Sequence, residues 1–186
     1  MSTGIAKAEF EVTVQDLFEL LPYGENFRFI DKFQEATRNG IVARYRFRED
    51  HAFFSDHFPD RPITPGVILL EAMCQCGMVA QGLYLLAVET GLESARRYRF
   101  LFTNSEVEWL QPVYPGDSVV MRSELLAWRQ RRVRASVQMM SEAGTLLAKS
   151  IVCGTGTLWS KEATRQDSKD IVTGTQLPKT QQGEKQ

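Results

Sequence analysis

The stretch that most limits how this chain can fold runs from Pro65 to Gly91. Pro65-Gly66 opens it and Gly91 ends it. Alanine, leucine and methionine dominate between them, which favours helix over strand. From Val67 to Val88 the only charged residue is Glu71. Gly66 to Val88 is long enough to span a bilayer. It carries Glu71, Gln75 and Gln81, however, and lacks flanking Lys/Arg anchors, so no membrane insertion is expected. The stretch reads as a helix buried on all sides, and such a helix must be wrapped by the elements it packs on.

The flanking sequence supplies the wrapping. Val14 to Leu21 has apolar residues at helical spacing and stops at Pro22, which predicts a short amphipathic helix. Phe27 to Phe33 reads as a strand, followed by the hairpin dipeptide Asn39-Gly40. Ile41, Ala43, Tyr45 and Phe47 then alternate with Val42, Arg44, Arg46 and Arg48, giving one apolar and one largely arginine face. Glu49 to Thr64 lacks periodicity and is rich in turn-formers; a loop of that length is often functional.

After Arg96 the pattern is β. The expected strands are Tyr98 to Leu110, Ser118 to Ala127, Val133 to Met140 and Thr145 to Trp159. They are joined by the turn Pro112 to Asp117, a hairpin connection at Arg129–Arg132, and the turn Ser141–Gly144. RYRF occurs at residues 44–47 and 97–100, an echo too short to mark a repeat. The reading is an α+β domain over residues 1–159, an antiparallel sheet around one long central helix. A polar, disordered tail follows over 160–186.

Composition narrows the function. At 186 residues, 43% apolar and 24% charged, the chain fits one soluble globular domain. A net charge of −1 and the lack of a binding motif argue against nucleic acid. Cys74, Cys76 and Cys153 fit no disulfide framework and no C-x-x-C motif, so buried, reduced thiols in a cytoplasmic protein are expected. The N-terminus has no basic region followed by an apolar run, so no signal peptide is read there. No metal-ligand spacing and no phosphate loop is visible, and neither metal nor cofactor is expected.

The chemistry concentrates in HFPDRPITPGVILLEAMCQ, residues 57–75. His57 has the pKa range of a general base at neutral pH. An ionised Glu71 on an apolar helix is costly unless paired or protonated. The first amides of the helix that starts at Gly66 have no intrahelical partner and carry the positive end of the dipole, so they can receive a developing oxyanion. Pro59, Pro62 and Pro65 stiffen the loop that holds His57. A base, an acid and oxyanion donors suit proton abstraction next to a carbonyl with departure of a β leaving group.

This segment resembles the active-site signature of the β-hydroxyacyl-acyl-carrier-protein dehydratases of the hotdog fold, roughly H-F-P-G-x-P-x-x-P-G-V-L-x-x-E-A-x-A-Q. LLPYGENFRFIDKF, HAFFSDHF and PVYPGDSV resemble other segments of that family, so the likeness runs from about Leu20 to Thr157. It implies that His57 takes the α-proton and that Glu71 orients or protonates the leaving β-hydroxyl. Gly66 and Val67 would then bind the thioester carbonyl. It further implies an acyl carrier protein as partner, and a homodimer or trimer of dimers in which His57 meets Glu71 of another subunit. Leu69, Leu70 and Met73 would line the acyl tunnel. The expected reaction gives a trans-2-enoyl thioester in fatty-acid-like or polyketide-like biosynthesis.

Asp56 and Asp60 stand where the family usually has glycine: Asp56 beside His57 would favour the imidazolium and weaken it as a base, and a non-glycine at position 60 would change the loop path if a positive φ is needed there. Arginines cluster at Arg96, Arg97 and Arg99 and again at Arg129, Arg131, Arg132 and Arg134, as solvated strand faces or a basic dock for the carrier. His51, near Phe53-Phe54, is expected to pack or cap. The competing readings are a hotdog acyl-thioesterase with Glu71 activating water, and a non-catalytic acyl-binding hotdog protein.

Overall fold

The computed structural model describes residues 10–159; the tail expected over 160–186 lies outside them. Helix α1 covers Val14–Leu20 and is held at its start by a capping box, Thr13 Oγ1 accepting from the Asp16 amide while Asp16 accepts from the Thr13 amide. Helix α2 runs from Gly66 to Thr90, and a short α3 covers Leu92–Ala95. The strands are β1 Lys32–Ala36, β2 Ile41–Arg46, β3 Tyr98–Trp109, β4 Ser118–Arg129, β5 Arg132–Ser141 and β6 Leu146–Leu158. They form one antiparallel sheet in the order β1-β2-β4-β5-β6-β3.

The sheet curls around α2. Val119 and Met121, Val133 to Met139 at every second position, and Ala148 and Val152 are buried with Ala72, Met73, Cys76, Val79, Ala80 and Leu83 of the helix. Register shifts in β1, β3, β4 and β6 bend the strands locally, as bulges do. The apolar face expected in β2 is present: Ile41, Ala43, Tyr45 and Phe47 are all buried. Gln130 and Arg131 both take positive φ, so the β4–β5 hairpin closes as a tight two-residue turn.

Two polar side chains on α2 are fully buried, Gln75 and Gln81. Gln75 Oε1 accepts from the Phe29 amide at 2.8 Å and its Nε2 donates to the Phe27 carbonyl at 2.8 Å. Gln81 Nε2 donates to the carbonyls of Thr37 and Arg38. Between them the helix winds as a π-helix over Gln75–Ala80.

These bonds correct the expectation of a strand at Phe27 to Phe33. Glu25–Phe27 is a 3₁₀ turn and β1 starts only at Lys32. The backbone at Phe27 and Phe29 is satisfied by the Gln75 carboxamide instead of by a neighbouring strand. Phe29 and Ile30 are buried all the same.

The Asn39-Gly40 hairpin forms, but not as a tight turn with left-handed residues. A four-residue connection is closed by Thr37 N–H donating to the Gly40 carbonyl at 3.0 Å, and Gly40 does not take positive φ. Glycine is required there because a Cβ would collide with the Ser123 carbonyl. The adjoining Ile41 amide donates to Ser123 Oγ and the Leu125 amide to the Asn39 carbonyl, which fixes that approach. Gly40→Ala is therefore expected to lower stability by roughly 1–3 kcal/mol in urea unfolding. Gly24→Ala, where a Cβ meets nothing within 4 Å, should stay within about 0.5 kcal/mol of the parent.

Candidate active site

The loop that carries His57 folds back on itself before α2 begins. The Ile63 amide donates to the His57 carbonyl at 3.0 Å, and His57 Nδ1 lies 3.1 Å from the Ile63 carbonyl. A carbonyl oxygen only accepts, so Nδ1 carries the hydrogen of the neutral ring and the Nε2 lone pair is left free. The ring stacks on Phe58, centroids 4.2 Å apart. Asp56 is in the right-handed helical region and Asp60 has no positive φ, so neither glycine of the family signature is demanded by this loop's path. His51 packs as expected: it stacks on Phe53 and its Nε2 lies 2.6 Å from the Tyr45 hydroxyl.

The next residues anchor the helix start. The Thr64 amide donates to the Val113 carbonyl at 2.7 Å, and the Pro65 carbonyl accepts from Ile68 and Leu69. The amides of Gly66 and Val67 have no acceptor among the described residues. They are the donors predicted for an oxyanion. The group that the missing Cβ of Gly66 admits is the Trp109 indole. A Cβ would lie 2.8 Å from its Nε1, and that N–H donates to the Gly66 carbonyl at 3.1 Å.

His57, Ile63, Thr64, Gly66, Leu69 and Trp109 line one open cleft of about 270 Å³ together with Leu110 to Pro112. Trp109 and Leu110 in its wall are exposed, as are Phe58 and Val67, which follow His57 and Gly66 in the chain. Of the three tunnel residues expected, Leu69 lines this cleft; Met73 is enclosed in the core and Leu70 packs against it.

Glu71 sits elsewhere in the same chain. It is not among the residues lining the cleft, and no hydrogen bond or ion pair joins it to His57. Its Oε1 accepts from Gln75 Nε2 at 2.9 Å. Burial pushes its carboxyl above the ordinary glutamate value and the Gln75 bond pulls it back in part. The neighbouring Cys74 thiol is pushed up to about 12, by burial first and by Glu71 second. The Tyr23 hydroxyl is raised in the same order. Among the cysteines, Cys74 and Cys76 are buried as expected, whereas Cys153 is half-buried.

Sequence reasoning picked out His57, Gly66, Val67 and Glu71 but missed three residues that shape their surroundings. Gln75 stands four residues after Glu71, a spacing that places two side chains on one helix face and could have revealed it. Trp109 and Tyr23 are distant in the chain, and no local pattern points from them to the site.

The chain matches the FabA-like domain family over residues 21–151. The 3-hydroxyacyl-[acyl-carrier-protein] dehydratase FabZ of Thermus thermophilus is 33% identical over 140 residues, covering 69% of this chain and 87% of that protein. The FabZ of Yersinia enterocolitica is 28% identical over 165 residues, 84% of this chain and 94% of that one. In the bifunctional enzyme LpxC/FabZ of Bacteroides thetaiotaomicron, 33% identical over 141 residues, the match covers only 28% of the relative. A thioesterase of Haemophilus influenzae superposes with a TM-score of 0.58 at 13% identity, over 85% of this chain and all of that one. Zebrafish thioesterase superfamily member 2 gives 0.55 at 12% identity, over 76% and 94%. At such identities these two speak for the fold alone. A six-stranded antiparallel sheet around one long helix, and a family match across most of the chain, lead to one assignment: the chain has the hotdog fold and belongs to the FabA-like family of β-hydroxyacyl-acyl-carrier-protein dehydratases.

Proposed function

We propose that the protein is a hydro-lyase that removes water from a 3-hydroxyacyl thioester to give the trans-2-enoyl thioester. The observation that carries this reading is the contact of His57 Nδ1 with the Ile63 carbonyl, which leaves Nε2 available as a base in a cleft that Gly66, with its unpartnered amide, also lines. Nε2 takes the proton from the carbon next to the thioester carbonyl. The electron pair moves toward that carbonyl, whose oxygen is held by the amides of Gly66 and Val67. The bond from carbon 3 to its hydroxyl then breaks. Glu71 gives its proton to the departing oxygen, which leaves as water. The proton on His57 returns to Glu71 through solvent, and no bond to the protein is formed.

This mechanism needs Glu71 from a second copy of the chain. The long β3 is at an edge of the sheet, with Phe102 and Trp109 exposed along it, and an edge of that kind is suited to pairing. Two copies joined antiparallel through β3 would bring the Trp109 end of one beside the Tyr98 end of the other. The substrate is carried by an acyl carrier protein. Arg96 is engaged with Glu19 and Glu93, and Arg99 with the carbonyls of Arg96 and Tyr98. Arg129, Arg132 and Arg134 instead line a groove of about 620 Å³ with no carboxylate in its wall. They have no ion pair among the described residues. Its Thr103 is on the same β3 edge, so an acidic carrier docked there would straddle the pair.

Mass-spectrometric assay of carrier-bound 3-hydroxyacyl chains should give the enoyl product; free thiol as the main product would establish the thioesterase reading instead. His57→Ala should slow dehydration by roughly 10²–10⁴-fold. His57→Ala mixed and refolded with Glu71→Gln should recover about a quarter of the parental rate if each site draws on two subunits. No recovery would place both groups in one chain.

The raised carboxyl of Glu71 also has a sign. The folded chain holds this proton above the usual value of 4.5, so between 4.5 and the folded value it binds more protons than the unfolded chain. Its contribution to stability is therefore lost as pH rises through that window. Glu71→Gln keeps the acceptor for Gln75 and removes the titration. Urea midpoints of the parent should fall relative to this variant on going from about pH 4 to about pH 7; parallel curves would contradict the burial argument.

A further inference from the structure

Thr64 is 4% exposed, and its hydroxyl is one of four side-chain polar groups among the described residues that are closed from solvent without a hydrogen-bond partner. Buried hydroxyls are almost always paired, and an orphan beside a cleft is a group that a bound ligand can satisfy. Its position is specific. Thr64 lines the His57 cleft, follows Ile63, whose carbonyl fixes the His57 ring, and comes two residues before the unpartnered Gly66 amide. Its backbone is anchored, the Thr64 amide donating to the Val113 carbonyl at 2.7 Å. Besides His57, Gly66, Trp109 and Gln111, the wall is apolar: Ile63, Leu69, Leu110 and Pro112.

We propose that the Thr64 hydroxyl is a substrate-binding group that holds the 3-hydroxyl oxygen of the acyl chain. The inference rests on the dehydration reading and adds a specificity residue to it. The two oxygens of a 3-hydroxyacyl thioester are on carbons separated by one methylene, so they can engage donors that stand side by side. The helix amides take the carbonyl oxygen and Thr64 takes the hydroxyl. A threonine hydroxyl both donates and accepts, so it can hold this oxygen as an alcohol and as departing water. It also gives the cleft a means of rejecting saturated chains, because a site built around a substrate hydroxyl is left with an unpaired polar group when that hydroxyl is missing.

The test is calorimetric binding of two pantetheine amides of equal chain length, a 3-hydroxyacyl and its 3-deoxy counterpart, to the parent, Thr64→Val and Thr64→Ser. The parent should prefer the 3-hydroxy ligand by roughly tenfold or more. Thr64→Val should lose that preference while binding the deoxy ligand as the parent does, and Thr64→Ser should keep it. The thermal midpoint of Thr64→Val should not fall, since the hydroxyl has no protein partner to lose. If the valine variant does not fold, Thr64→Ala serves the same comparison. A preference unchanged by either variant, equal weakening of both ligands, or no preference in the parent would overturn the assignment. Because binding is read without turnover, a parent that dehydrates nothing would reject the reaction separately from the role of Thr64.

Discussion

A helix that is apolar on nearly every side leaves water only if other elements close over most of its circumference. α2 meets that requirement by lying in the hollow of a six-stranded sheet, with α1 and the segment before β1 covering what the sheet does not reach. The two buried glutamines make the closure specific. An unpaired buried carboxamide is costly, and Gln75 finds its partners only when the backbone at Phe27 and Phe29 is laid along the helix. Apolar packing would tolerate that segment in several positions; the carboxamide accepts one.

The same helix joins packing to chemistry. Its buried length fixes the position of its first turn, where Gly66 lines the cleft with His57 and the amides of Gly66 and Val67 are left without an acceptor among the described residues. Gln75, which seats the segment before β1, also donates to Glu71. The carboxyl's orientation and its proton affinity therefore depend on how the N-terminal segment, which also brings Tyr23 near, is docked. Opposed effects act on Glu71, burial raising its pKa and a single neutral donor lowering it. Burial dominates because one neutral hydrogen bond replaces only part of a carboxylate's hydration.

Much of the fold was legible in local pattern. The alternation in β2 and β5, the bounded apolar run of α2 and the turn at Pro112 to Asp117 all reflect short-range rules, and all are present. The failures share one cause. Phe27 to Phe33 reads as a strand because its aromatic residues are buried, but burial does not require strand pairing, and the partner that displaced it is a side chain far along the sequence. Gly40 reads as a turn glycine, yet what excludes a side chain there is the carbonyl of Ser123 on another strand.

The sequence by itself determined which groups exist and which are neighbours along the chain. His57 and the first amides of α2 are held together by a proline-rich loop, and Glu71 and Gln75 are one turn apart on a helix. Short covalent separations allow little freedom, so those relations survive in almost any packing. Tertiary structure decided what lies across from them. It set the Trp109 indole against Gly66, closed the Thr64 hydroxyl inside the cleft without a partner, and kept Glu71 out of the His57 cleft of its own chain. Contacts between distant segments depend on how whole surfaces fit, and no local spacing encodes that fit.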